Sequence, residues 1–327
     1  MQEQDVVSKE YFEEDARIAD FINGYFFQGR QVVSAKDVRE ADSAIFGKVR
    51  WFGRWTARQR YRDIVRRVLL GIRFVMGGIE EQGLIHFAMP VRAMGYDFLS
   101  YDRQVKRIKK RHSILKDLKE KAQFLSGVSS EDLLEPVVTV ILYYGEEPWS
   151  GPKSLHDMLK LEDFPEDFRA MVNDYPLHIF EVNHFPHLDY FKTDLRLVFG
   201  FLQNRSHKER LKQFVRDNEQ ELSSLEDDAC EMITVMSHSE ELLRMKDKFR
   251  KGSKVDMCKA LKEWMDESKL EGRLEGRQEG RLEGRQEGED RFADLTDRLL
   301  QDGRTGDLRK ATSDKVYREQ LYREYGL

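Results

Sequence analysis

Residues 62–82 read RDIVRRVLLGIRFVMGGIEEQ. Two apolar runs of strand length flank Gly71, the first opened by Asp63 and the second closed by Ile79-Glu80-Glu81-Gln82. Alternate side chains of a strand share a face, so Glu80 and Gln82 point one way and Glu81 the other. Pairing the runs as antiparallel neighbours sets Asp63, at the head of the first, close to Glu80 and Gln82 near the end of the second. These are oxygen donors suited to a hard divalent cation, because Mg2+ favours one or two carboxylates and otherwise water and phosphate oxygens. Such an ion lowers the pKa of a bound water and offsets charge developing on a phosphorus centre. The uncharged Gln82 is left to orient that water or a phosphate. The plainer alternative is that Asp63 and Glu80 are ordinary exposed strand residues in a chain of which 35% is charged.

Arg62-Asp63-Ile64 and Gly78-Ile79-Glu80-Glu81-Gln82 are followed by Met89-Pro90-Val91-Arg92, by Tyr96-Asp97 and by residues 136–149, PVVTVILYYGEEPW. In order and spacing, over roughly the first two hundred residues, these blocks resemble the Rpn family of recombination-promoting nucleases. That family, also described as transposase-like, lies in the PD-(D/E)xK nuclease superfamily, and the glycine-rich tail is similar to some of its members. The resemblance implies an α/β, restriction-endonuclease-like fold, with a mixed central sheet flanked by helices and a charged helical C-terminal extension. It further implies a Mg2+- or Mn2+-dependent DNA endonuclease associated with recombination or transposition. Asp63 and Glu80 would be its metal ligands, and Asp63, Glu80 and Gln82 its catalytic set. Gln82 stands where the wider superfamily has Lys, a replacement that resembles the Rpn group, and it leaves open whether a nearby cation such as Arg92 supplies the missing charge.

A chain of 327 residues accommodates one sizeable α/β domain and an additional module. The expected division is a nuclease-like domain over 1–222, a helical extension over 223–268, a repeat arm or tether over 269–290 and a small helical segment over 291–327. Cys230 and Cys258 are the only cysteines, too few for a disulfide scaffold or a zinc ribbon. The first residues have neither a basic leader nor an apolar core, and the longest apolar stretch, Val137 to Tyr144, is strand-sized. A soluble, cytoplasmic protein is expected. Net charge is -5, yet residues 40–112 hold 16 Lys and Arg against 7 Asp and Glu, a surplus of 9 that leaves -14 for the remainder. A basic segment around an acidic cluster is the electrostatic footprint of a phosphodiester substrate.

Along the chain, Tyr11 to Phe27 reads as an amphipathic helix, with Ile18, Phe21, Ile22, Tyr25 and Phe26 at helical spacing. Asp20 lies one residue from that apolar seam. The resemblance makes it a possible accessory carboxylate, whereas the ordinary reading is a solvated or capping residue. In the stretch Lys48 to Arg67, Trp51, Phe52, Trp55 and Tyr61 alternate with arginines including Arg54, Arg58 and Arg60. Aromatics among cations stack on bases while the cations pair with phosphates; equally, Trp51 and Trp55, four apart, pack a helix onto the sheet. Leu84 to Phe87 is expected to continue the sheet. A long helix follows from Met89 to His112, starting near Pro90. Its end carries Lys106, Lys109 and Lys110, which either complement the helix dipole or contact phosphates. His86 and His112 have no partner at metal-ligand spacing. The apolar run from Val137 fits a strand buried on both faces, Ser154 to Lys160 a short helix and Tyr175 to Val182 another strand. Two further helical stretches, Leu188 to Phe201 and Arg205 to Leu225, complete a helical layer.

Beyond Ser223 the chain reads as charged helices, with Ser237 and Glu240 in a capping-box pattern. The segment 271–288, EGRLEGRQEGRLEGRQEG, has a four-residue period. Each stripe of such a repeat drifts by about 40° around an α-helix, Gly costs roughly 1 kcal/mol per position, and Glu and Arg fall two apart, where they do not pair. A flexible tether or weakly helical arm is expected, or an arm whose glycine stripe supports a homo-oligomer. The tail from Phe292 reads as a helical hairpin broken at Gly303 and Gly306.

No phosphate-cradling Gly-rich loop and no Gly-x-Ser-x-Gly elbow occurs, which removes support for nucleotide-driven and serine-hydrolase chemistry. The leading expectation is a metal-dependent endonuclease acting on DNA. The alternative is a nuclease-like DNA-binding or scaffolding protein that has lost catalysis, suggested by the missing Lys.

Overall fold

The computed structural model describes residues 2–40, 44–51, 54–61, 64–70, 73–237 and 239–327, with the side chains of 2–5, 40, 44–51, 54–61, 73–82 and 268–279 outside that description. The fold is mixed α/β and mostly helical. Residues 1–262 and 263–327 form two compact units.

The first unit opens with α1 (Gln2–Tyr11) and α2 (Asp15–Phe27). The sequence suggested one helix over Tyr11 to Phe27. The break between the two comes from a buried ion cluster that local periodicity does not encode. Arg17 is 2% exposed and forks onto both oxygens of Asp194, at 2.9 and 2.8 Å, and onto both oxygens of Asp228, at 2.5 and 3.0 Å. It also donates to the Tyr11 carbonyl at 2.8 Å, closing the end of α1, while the Tyr11 hydroxyl donates to Asp194. Planar bidentate geometry is what makes guanidinium fit such a site.

After α2 the chain forms β1 (Val38–Glu40), then β2 (Ala44–Trp51) and β3 (Arg54–Tyr61), which pair as a separate antiparallel ladder. This corrects the helix expected around Trp51 and Trp55: the register sets Arg50 opposite Trp55 and Trp51 opposite Arg54. β4 (Ile64–Leu70) and β5 (Arg73–Gln82) follow as the antiparallel pair the sequence predicts, and β1 lies against β4. The strand ends at Gln82; Leu84 to Phe87 form bends and a turn rather than the expected continuation. α3 (Met89–Leu115), with Pro90 in its first turn, and α4 (Lys121–Ser126) then carry the chain back to β6 (Val137–Tyr143). β6 runs parallel to β5, and β7 (His178–Glu181) parallel to β6, giving the sheet order β1-β4-β5-β6-β7. Between them the expected helix near Ser154 is a single 3-10 turn at His156–Met158, and α5 (Glu166–Arg169) is one turn long.

β6 is the sheet's apolar spine. Ile141 and Leu142 have no exposure and all but Val138 of its residues are buried. On one side Phe180 of β7 meets Phe21 of α2, edge to face at 5.1 Å, together with Phe191 and Phe199. Here α2 comes within touching distance of the Phe191 ring, and a Cβ at Gly24 would stand 2.3 Å from it. On the other side Ile141 and Tyr143 pack with Met89 and Trp149. The helices α6 (Leu195–Asn204), α7 (Lys208–Asp217), α8 (Glu219–Leu222), α9 (Asp227–Ser237) and α10 (Glu240–Lys248) complete the unit, α9 packing on α1 and α6. The cap of α10 is Ser239, whose hydroxyl accepts from the Leu242 N–H at 3.1 Å; the expected Ser237 instead donates to the Thr234 carbonyl. Burial pushes the thiols of Cys230 and Cys258 up, so neither is a ready nucleophile.

α11 (Met257–Gln301) runs without interruption through the Glu-Gly repeat, a helical arm and not the flexible tether that was the other expectation. Its first turns are anchored by the buried Met257, Cys258, Ala260 and Leu261, and its last by the buried Leu295 and Leu299. Helix propagation from anchored ends avoids the nucleation cost that an isolated repeat would face. Cβ atoms at Gly280, Gly284 and Gly288 would meet open space. Arg285 pairs with Glu289 at 2.8 Å because Glu289 falls out of the repeat's period. In the second unit, Leu295 and Leu299 join Ala311 of α12 (Thr305–Ser313) and Leu321 and Tyr322 of α13 (Lys315–Tyr325) in one core. The chain turns at Gly303, with φ 70°, while Gly306 sits inside α12 and breaks nothing. No helix of the described residues is long and apolar enough to cross a membrane.

Replacing Arg17 by Leu leaves two carboxylates facing each other without their shared cation. Denaturant unfolding of the Arg17→Leu variant is expected to show a loss of roughly 3–5 kcal/mol; a loss below about 1 kcal/mol would place the anchor of α2 elsewhere.

Candidate metal and nucleic-acid site

The register of three strands sets out the site. β4 and β5 pair with Ile64 opposite Ile79, next in the chain to Glu80, and β5 and β6 pair with Glu80 opposite Ile141 and Gln82 opposite Tyr143. Paired positions share a face of the sheet, so positions 80 and 82 lie on the Ile141–Tyr143 face. That face is the one on which Met89, at the start of α3, and Trp149 pack. Asp63 lies outside the described residues; its chain neighbour Ile64 is the first residue of β4. The row continues to β7, where Glu181 pairs with Tyr143. Glu181 accepts the Trp149 N–H at 2.8 Å, and the Tyr143 phenol is raised by burial and then by Glu181 and Glu147.

The link from Gln82 to α3 carries Ile85, packed beside Gly151, and His86. The Nδ1 atom of His86 is buried with no hydrogen-bond partner among the described residues. Arg92, in the first turns of α3, donates from Nε to the Tyr96 hydroxyl at 2.8 Å and lies 5.7 Å from the centre of that ring. Close behind, the buried Asp97 accepts from the Thr139 hydroxyl at 2.6 Å and from the Tyr175 hydroxyl, fixing α3 against β6.

Asp20 is held elsewhere. It is 4% exposed, and its two oxygens accept the backbone N–H groups of Lys192 and Thr193 and the Thr193 hydroxyl, at 2.7 to 2.9 Å. It lies on α2, whose Phe21 packs on the opposite, Phe180 face of the sheet. Its geometry is that of a clamp on the turn before α6, neither solvated nor directed to positions 80 and 82.

The proposed phosphate contacts divide into two groups. Arg54, Arg58 and Arg60 occupy same-parity positions of β3, opposite Trp51, Gly47 and Ile45. Lys106, Lys109 and Lys110 are exposed on the second half of α3, and Lys106 pairs with Asp102 at 2.6 Å. At 1.5 Å per residue they stand roughly 25–32 Å along the helix from Met89. Gln104 exchanges hydrogen bonds with the backbone of Glu135, and Tyr101 accepts the Val137 N–H, so this part of α3 lies at the opening end of β6. Because β5 is parallel to β6, that is the opposite end of the sheet from Gln82. These lysines and positions 80 and 82 do not share one end of the fold.

His112, read as ordinary from the sequence, is an organised group. It is buried, with Nδ1 2.6 Å from Asp117 and Nε2 2.7 Å from Asp132, and Arg111 also reaches Asp132. Its partners lie 5 and 20 residues away in loop, which no metal-ligand spacing would reveal. The hydrogen bonds from Asp117 and Asp132 raise the imidazole pKa above its ordinary value. Asp117 is lowered chiefly by His112, and Asp132 is held far below the usual carboxylate range, first by the Ser129 N–H and then by His112.

No family model, curated protein or solved structure matches the chain.

The sign of the His112 contribution follows from these directions. A raised folded-state imidazole pKa stabilises fully below its unfolded value of about 6.5, and the effect is lost as pH rises through the raised value. The lowered carboxylates stabilise above about pH 4 and lose their contribution as pH falls toward their depressed values. The stability gap between wild type and His112→Gln is therefore expected to be widest near pH 5–6 and to narrow at about pH 9 in denaturant titrations. A gap that widens with pH would contradict an imidazolium at this position.

Proposed function

We propose that the chain is a metal-dependent DNA endonuclease built on a restriction-endonuclease-like mixed sheet, as its Rpn-like motifs suggest. The observation that carries the reading is the β4–β5–β6 register: it aligns the residue following Asp63 with the residue preceding Glu80, and sets positions 80 and 82 on one face. The donor set suits the ion. Two carboxylates and an amide are hard oxygen donors, the kind that Mg2+ or Mn2+ takes together with water and phosphate oxygens. Asp63 and Glu80 would hold the cation, which when bound supplies Lewis-acid stabilisation of phosphate charge and a more acidic water.

The chain's own residues then have separate tasks. Gln82 carries both a carbonyl and an amide donor, so it orients a water by accepting or a phosphate oxygen by donating. Arg92 brings a permanent positive charge to the start of α3, beside the strand in which Gln82 replaces a lysine. Arg54, Arg58 and Arg60, interleaved with Trp51 and Trp55, suit a nucleic-acid backbone and its bases. Asp20 serves the turn at Lys192 and Thr193. Lys106, Lys109 and Lys110 belong to a second basic surface, engaged only by DNA long enough to span the sheet.

The second reading, a DNA-binding or scaffolding protein without catalysis, is favoured by Gln82 itself, since an amide cannot replace the charge of an ammonium group. A nicking assay on supercoiled plasmid separates the two. Wild type is expected to nick in Mg2+ or Mn2+ and to stop on chelation, with Asp63→Ala slower by roughly 10²–10³-fold or more. Undiminished cutting by Asp63→Ala removes the proposed site, and salt-sensitive DNA binding without nicking establishes the second reading.

A further inference from the structure

The second half of α3 runs past the strand it packs on. Tyr101 and Gln104 hold the helix at the opening of β6 through Val137 and Glu135, and it continues to Leu115, roughly 16 Å further at 1.5 Å per residue. Lys116, in the left-handed conformation, ends it, and α4 returns beside it. A Cβ at Gly127, just after α4, would stand 3.0 Å from Lys109 Cγ.

This helical hairpin is basic. Residues 102–121 carry nine Lys and Arg against three Asp and Glu. Two of those acids are already engaged, Asp102 by Lys106 and Asp117 by His112. Arg107, Lys109, Lys110, Lys116, Lys119 and Lys121 are exposed and have no carboxylate partner among the described residues. On α3, Arg103, Lys106, Arg107, Lys110 and Ile114 fall within about 100° of arc, on the side away from the buried Gln104 and His112. Apolar side chains tip the same hairpin: Ile114 and Leu115 at the end of α3, and Phe124 and Leu125 in α4, are 60 to 91% exposed.

We propose that the α3–α4 hairpin is a peripheral docking surface for an anionic lipid bilayer, its cations among the headgroups and its four apolar side chains at the acyl boundary. Charge complementarity and the apolar tip together select this partner. Nucleic acid answers the cations but offers no apolar medium to the uncovered side chains. Protein interfaces are depleted in lysine, whereas six of these nine cations are lysines. Headgroups require no fixed geometry of them: a lysine stem lies along apolar surface while its ammonium stays in the polar layer. Each cation adds to the attraction of an anionic leaflet, and the inserted apolar area adds a part that salt does not screen. The inference does not rest on the nuclease reading; DNA long enough to reach Lys109 and Lys110 would compete with the bilayer for them.

Cosedimentation of the full chain with sucrose-loaded vesicles, in the presence of a chelator so that no divalent cation contributes, tests it. Wild type is expected to bind vesicles that contain phosphatidylglycerol and not those of phosphatidylcholine alone, with affinity falling as salt rises. Phe124→Ser/Leu125→Ser is expected to weaken binding roughly 10-fold or more, and Lys110→Gln/Lys116→Gln/Lys119→Gln about 100-fold. All five positions are exposed, so both variants keep the wild-type circular dichroism spectrum. No binding to the anionic vesicles, equal binding to the neutral ones, or binding that both variants retain would overturn the proposal. Loss in the glutamine variant with none in the serine variant would give the surface to a polyanion such as DNA, and overturn it equally.

Discussion

A parallel strand pair cannot be closed by a tight turn, and the pairing of β5 with β6 therefore governs the first unit. The chain must travel back along the sheet before β6 begins, and α3 is the segment that does so. That return leaves the start of α3 at the end of β5 that carries Glu80 and Gln82. It leaves the basic second half of the helix beside Glu135 and Val137, at the other end. One constraint on backbone connectivity thus brings Arg92 toward positions 80 and 82 and separates Lys106, Lys109 and Lys110 from them.

The unit's buried charges follow one rule. Removing an ion from water costs several kcal/mol unless a partner of opposite sign accompanies it. Arg17 has Asp194 and Asp228, Lys246 has Glu231 and Asp227, and His112 has Asp117 and Asp132. In each, cation and carboxylate come from different elements or loops, so the pairs fasten the helical layer as well as satisfying their own charges. The clamp of Asp20 on the Lys192–Thr193 backbone is the same device with N–H groups as the donors.

Features written in neighbouring residues were legible in the sequence. The antiparallel pair around Gly71, the two-sided apolar run of β6 and the start of α3 at Pro90 follow from period, length and turn chemistry. Trp51 and Trp55 are four apart in sequence but lie on opposite strands of a hairpin, Trp51 ending β2 and Trp55 near the start of β3, which a spacing of four does not distinguish from one helical turn. The Glu-Gly repeat left helical arm and tether open because propensity is local, whereas the support of the helix comes from buried residues in its first and last turns. The settings of Asp20 and His112 were not legible in the sequence for another reason: the partners that hold them, Lys192, Thr193, Asp117 and Asp132, come from separate loops, Asp20's from 172 and 173 residues away. For the candidate site, the sequence supplied the residue types and their strand, and the fold supplied the face they occupy and the far position of the lysines.

The proposed activity requires a divalent cation at the end of β5. The most direct measurement is Mn2+ binding to the full chain, followed by the loss of the free-ion paramagnetic signal, in wild type and in Glu80→Gln. One site per chain is predicted, displaced by Mg2+ and weakened roughly 10- to 100-fold by the substitution. Equal binding by the two proteins, or none by wild type, would contradict it.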